Sequence, residues 1–170
     1  MLTKEYRMDT IEETKNGTPL EIGGWLVLVA LGIIISPLRM IYFFITTYFP
    51  IFSDGTWEAL TTVGSDFYSP FWAPLLVSET VINLLMLIAS FYLIFLFFSK
   101  QKSLPKWYFG LSVFTTVFII LDAYAITLVL PDMEVFDSET TREVARTLFS
   151  LLIWSPYLLF SERSKNTFIN

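Results

Sequence analysis

The sequence predicts an all-α fold, an integral membrane four-helix bundle with both termini cytoplasmic. Three observations point there. The 170 residues are 54% hydrophobic and 18% aromatic against 16% charged, with a mean hydropathy of +0.60, too apolar for an ordinary soluble domain. Four segments meet or approach the roughly 20 apolar residues needed to cross a hydrocarbon core of about 30 Å. Lysine and arginine crowd into alternate connections, which orients the spans.

In chain order, residues 1–22 form a polar, mixed-charge cytoplasmic segment. The apolar run behind it is too long for a signal-peptide core and has no small-residue cleavage pattern, so no cleaved signal is expected. The transmembrane domain is placed at 23–162. Its first span covers about 25–49 and carries Pro37 and Arg39; the second covers about 71–98 and carries Glu79 and Asn83. A third covers about 107–130 around Asp122. The fourth, 138–160, is apolar only from Val144 onward and gains its length from "DSETTRE", which offers an N-cap at Asp137 or Ser138 and acidic residues in the first turn. Residues 163–170 are read as a cytoplasmic tail. Pro37 and Pro156 each remove a backbone donor and are expected to kink their helices. The runs are continuous, without the alternation of barrel strands.

Lys4, Arg7 and Lys15 precede the first span, Lys100, Lys102 and Lys106 separate the second from the third, and Arg163 and Lys165 follow the fourth. The other two loops hold only Arg142 against the acids Asp54, Glu58, Asp66, Asp132, Glu134, Asp137, Glu139 and Glu143, and this asymmetry predicts both termini inside. The net charge of −5 therefore reports an acidic outer face and gives no reason to expect a nucleic-acid partner.

Between the first two spans, "LTTVGSDFYSP" resembles the selectivity-filter signature of potassium channels. The filter needs a second glycine two residues after Gly64, because alternating backbone geometry aims successive carbonyls at the ion. Asp66 stands there, and Ser65 replaces the aromatic residue. The stretch reads instead as a short extramembrane helix from Thr56 to about Val63, then a glycine turn, with Trp57, Tyr68 and Trp72 as interfacial aromatics.

The chain has no cysteine and no histidine, which removes thiolate chemistry, the commonest transition-metal ligand and the usual near-neutral proton carrier. No metal, cofactor or catalytic residue is expected. Glu79 and Asp122 are the only acid–base candidates, with no nucleophile beside them, so the chain is read as not an enzyme.

Three fragments, "IGGWLVLVALGIIISPLRMIYF", "FYSPFWAPLLVSETVINLL" and "IWSPYLLFSERSKNTF", together resemble the bacterial four-span membrane proteins grouped as domain of unknown function 2569. The resemblance rests on the GGWL opening, Ser36-Pro37 with Arg39, the aromatic-proline approach to Glu79 and Asn83, and the closing Trp-x-Pro-Tyr with Ser-x-Arg and Thr-Phe. It implies a multi-pass protein of the bacterial inner membrane, and no activity.

Ionisable residues inside a bilayer are costly enough to mark candidate sites. Counted from the predicted outer ends, Arg39, Glu79, Asp122 and Arg146 all fall roughly 12–15 Å deep. Two charges of each sign at one depth suggest a single neutral layer, paired between sequence neighbours as Arg39 with Glu79 and Asp122 with Arg146. Helical spacing adds Asn83 to the layer, and Gly32 and Ser36 to the Arg39 face. Two readings stay open: a layer that only fixes helix register, or an outward-facing cavity for a small polar ligand, a lipid headgroup or a proton. The function expected is a binding, accessory or structural membrane protein with lipids as partners. The alternatives are a small transporter or proton-coupled carrier acting as a homodimer and, more remotely, a cation channel.

Overall fold

The computed structural model describes residues 19–170. Residues 1–18, including Lys4, Arg7 and Lys15, lie outside the described part. No strand occurs among the described residues.

Helix α1 runs Trp25–Ser53, past the Phe49 limit read from the sequence, because its apolar pattern continues through Pro50 to Phe52. It is α-helical over Trp25–Phe43, widens into a π turn at Phe44–Tyr48, and closes as α-helix at Phe49–Ser53. A short α2, Thr56–Thr61, follows Gly55. Then come α3, Trp72–Phe98, and α4, Leu104–Ala125, which a 3-10 turn prolongs over Ile126–Leu128. Helix α5 comprises α-helix Ser138–Phe149, a π turn Ser150–Trp154 and α-helix Ser155–Phe160. The final α6 is Glu162–Thr167.

Helices α1, α3 and α4 are long and apolar enough to cross a membrane. Helix α5 is as long but carries Glu139, Arg142, Glu143 and Arg146 in its first half. It packs on α4, α4 on α3, and α3 on α1, so the four form an antiparallel bundle.

Each π turn ends two residues before a proline, Pro50 in α1 and Pro156 in α5. The proline ring collides with the carbonyl four residues back and offers no donor to it, and a wider turn relieves both problems. The sequence reading assigned such irregularity to Pro37 and Pro156; Pro37 instead lies buried within regular α-helix, and Pro50 takes its place. The turn before Pro50 ends on Tyr48, which is only 3% exposed.

The dry core fills one end of the bundle. Leu26, Val29 and Ile33 of α1 meet Leu93, Leu96 and Phe97 of α3, Leu104 of α4, Leu158 of α5 and Phe168 behind α6. In lipid such a cluster stabilises by close packing more than by transfer from water. Residues 163–170 are part of this end and do not trail away as a tail. Asn170 exchanges backbone hydrogen bonds with Lys100 and Lys102, Leu20 N–H donates to the Asn166 carbonyl, and Ser164, Thr167 and Phe168 are buried.

Arg163 lies across the Gly23–Gly24 entry to α1 and donates to the Glu21 carbonyl at 3.4 Å. Gly24 has φ 58°, and a Cβ on Gly23 would stand 2.5 Å from the Arg163 guanidinium, so the paired glycines make room for this strap. At the opposite end Gly64 has φ 98° in open space and makes a turn, with Ser65 N–H bonded to the Thr62 carbonyl at 3.2 Å.

Helix α5 starts on a side-chain cap: the Asp137 carboxylate accepts from Thr140 N–H at 2.7 Å. That bond holds the Asp137 carboxyl below its usual range, and Thr56 does the same for Asp54 before α2. A lowered carboxyl pKa stabilises the fold above the unfolded-state value, and the contribution disappears as pH falls through the folded-state value. Acidification is therefore expected to fray the first turn of α5. Amide exchange at Thr140 should speed up on acidification in the parent and be fast at every pH in Asp137→Ala.

Candidate functional site

The registers of the helix pairs decide which polar groups meet. On α1 and α3, Tyr48 hydroxyl donates to Glu79 Oε1 at 2.7 Å, and Met40 sulfur lies 3.8 Å from Ser90 hydroxyl. Ser90 is about three turns along α3 from Glu79, roughly 16 Å. Arg39, next to Met40, is therefore far too deep to reach Glu79.

Helices α3 and α4 set a second register through Met86 with Thr115 and Tyr92 against Trp107, which brings Asp122 level with Glu79. On α4 and α5, Tyr108 and Ser150 hydroxyls are 2.7 Å apart and Tyr124 stacks edge-on against Phe136. Arg146 is one turn from Ser150, whereas Asp122 is nearly four turns from Tyr108. Their levels differ by roughly 14 Å.

The expected single layer is thus two layers. One, toward the Ser53 end of α1, consists of Tyr48, Glu79, Asn83 and Asp122. Asn83 Nδ2 donates both to the Tyr48 hydroxyl at 2.8 Å and to the Glu79 carbonyl at 3.0 Å. Tyr48 hydroxyl therefore accepts from Asn83 while it donates to Glu79. Asp122 is partly buried and within electrostatic reach of Glu79 and Tyr48.

The other, level with the middle of α1, is Arg39, Glu143 and Arg146. Arg39 Nη2 and Arg146 Nη1 each donate to the same oxygen, Glu143 Oε1, at 2.8 Å. Neither predicted pairing, Arg39 with Glu79 or Asp122 with Arg146, is formed. The cause is register: the depths had been counted from presumed helix ends, and α1 extends to Ser53 while α5 starts level with the body of α4 rather than with its tip.

The triad occupies the seam between α1 and α5, which these side chains and the Trp25–Trp154 contact, 6.3 Å between ring centroids, hold together. The side chains of Arg39, Glu143 and Arg146 are 50%, 41% and 47% exposed, so the triad opens outward from the bundle. Gly32 and Ser36, expected to face inward with Arg39, are exposed with it. Two guanidinium groups against one carboxylate leave one positive charge and several N–H donors unused. That arrangement suits a carboxylate or a phosphate.

Two residues of these layers are not among those the sequence singles out. Glu143 was counted among the outer-loop acids, although it stands three residues before Arg146, the spacing of helical ion pairs. Tyr48 was one aromatic among many; its place just before Pro50 was the available signal. Of the aromatics assigned to an interface, Trp57 packs on Phe52 with 5.3 Å between centroids, Trp72 opens α3, and Tyr68 is 37% exposed in the loop before it.

The family described as "Protein of unknown function (DUF2569)" matches residues 19–169, the whole bundle with both polar layers and the C-terminal strap. The chain belongs to the DUF2569 family. No curated protein and no solved structure matches it. DUF2569 membership and three helices long and apolar enough to cross a membrane are consistent with a multi-pass membrane protein. Within this DUF2569 chain, GGWL and Ser-x-Arg are two sides of one contact, the Arg163 strap over Gly23 and Gly24.

Proposed function

We propose that the chain is a non-enzymatic binding protein of the bacterial inner membrane with four spans and both termini cytoplasmic. Its site is the α1–α5 seam, and its ligand carries an anionic group, a lipid phosphate or the carboxylate of a small zwitterion. The observation that carries this reading is two half-exposed arginines sharing one carboxylate oxygen beside the middle of the apolar helix α1. Left facing hydrocarbon, a charge at that depth costs about 2.5–3.5 kcal/mol even on the milder insertion scale, and an anion with its own polar surroundings would offset that cost.

Native mass spectrometry of the full chain in mild detergent tests the reading. The parent is expected to retain one anionic lipid or metabolite that Arg39→Gln and Arg146→Gln both release; retention unchanged by either variant overturns it. A second copy sealing the same seam is the alternative, favoured by the exposure of Gly32, Ser36 and Arg39 along one face of α1. A stoichiometric dimer that Arg39→Gln dissociates would decide for the copy and return the transporter reading.

The span count has its own test. Cysteines at Ser53 and Met133 are expected to react with an impermeant reagent from the periplasmic side and one at Lys102 from the cytoplasmic side only, as the lysine and arginine bias supports. Labelling of Met133 and Lys102 from the same side would reverse the placement of α4.

A further inference from the structure

At the closed end of the bundle the outer surface of α4 carries a groove of about 330 Å³, lined by Lys106, Trp107, Gly110, Leu111 and Phe114. Gly110 makes the notch: a Cβ there would meet nothing within 4 Å. Trp107, braced edge-on by Tyr92 at 5.3 Å, forms one wall and Phe114 lies at the far end. From Lys106 to Phe114 the groove follows the helix axis for roughly 12 Å. Its walls are hydrocarbon and its mouth is one ammonium.

We propose that this groove seats an acyl chain of an anionic phospholipid, with Lys106 on the phosphate. Charge complementarity selects that occupant. Lys106 is exposed in the first turn of α4, and no carboxylate among the described residues pairs with it or with neighbouring Lys102. Lys100, by contrast, is engaged by the Pro19 carbonyl at 3.3 Å. Lysine stems lie along apolar surface while their ammonium groups reach headgroups, and tryptophan favours the same level. The inference rests on the membrane setting and on none of the residues of the α1–α5 seam.

Quenching of Trp107 by brominated lipid tests it with the full chain in phosphatidylcholine vesicles. The Trp107 signal is the difference between the parent and Trp107→Phe. Brominated phosphatidylglycerol is expected to quench that signal more than brominated phosphatidylcholine at equal mole fraction, with an enrichment of about five-fold for one lysine near an anionic surface. Lys106→Gln should abolish the preference, and Gly110→Leu, which adds a side chain to open space, should reduce quenching by both lipids. Equal quenching by the two lipids in the parent overturns the proposal. So does quenching that Gly110→Leu leaves undiminished, which would mean headgroup attraction without a seated chain. Protection of Trp107 from both lipids, with dimers in solution, would assign the groove to a second copy and equally overturn it.

Discussion

Replacing Glu143 by Gln is expected to destabilise the protein more than replacing either arginine, by about 3 kcal/mol, the cost of one uncompensated charge facing hydrocarbon on the milder insertion scale. The reason is stoichiometric. One carboxylate oxygen accepts from Arg39 and from Arg146, both at 2.8 Å. Removing one arginine leaves a one-to-one pair, whereas removing the acid leaves two like charges in apolar surroundings. Thermal unfolding in mild detergent reads the difference. The order Glu143→Gln, then Arg39→Gln and Arg146→Gln, is the expected result, and a triple variant with Leu at all three positions should recover much of the loss. Equal stability of parent and Glu143→Gln would mean that water, not protein, satisfies the arginines.

Tyr48→Phe is the second large effect, expected at about 1–3 kcal/mol, the desolvation penalty of polar groups left without a partner. The hydroxyl is both donor to Glu79 and acceptor from Asn83, so its loss takes the donor from Glu79 and leaves Asn83 with the Glu79 carbonyl as its remaining partner. Asn83→Ala should cost less, because Glu79 keeps its bond to Tyr48. Unfolding of Tyr48→Phe, Asn83→Ala and the double variant checks this: the double should be no worse than Tyr48→Phe alone by more than the packing lost at position 83. A Tyr48→Phe protein as stable as the parent would show that the bond contributes nothing to holding the π turn of α1 against α3.

Helix existence was legible in the letters because the signals are local. Apolar runs named α1, α3 and α4, and Asp137 announced the start of α5. Arg39, Glu79, Asp122 and Arg146 were legible as charges within helices, but their partners were not. Pairing across a bundle depends on register, which is fixed by contacts such as Met40 with Ser90 and Tyr108 with Ser150 that no spacing within one helix reveals. An error of a few residues at a helix end becomes several ångströms of depth. The Pro50 turn shows the same limit, since only the helix running past Phe49 exposes the proline as an interior one. The strap formed by Arg163 over Gly23 and Gly24 joins the two extremes of the matched region, a separation at which sequence proximity says nothing.

A double-mutant cycle on Arg39 tests the two-layer arrangement most directly. Arg39→Gln combined with Glu143→Gln is predicted to show a coupling of about 1–3 kcal/mol, and Arg39→Gln combined with Glu79→Gln to be additive within about 0.3–0.5 kcal/mol, as unconnected sites are. Strong coupling of Arg39 to Glu79 with additivity toward Glu143 would contradict the account and restore a single charge layer.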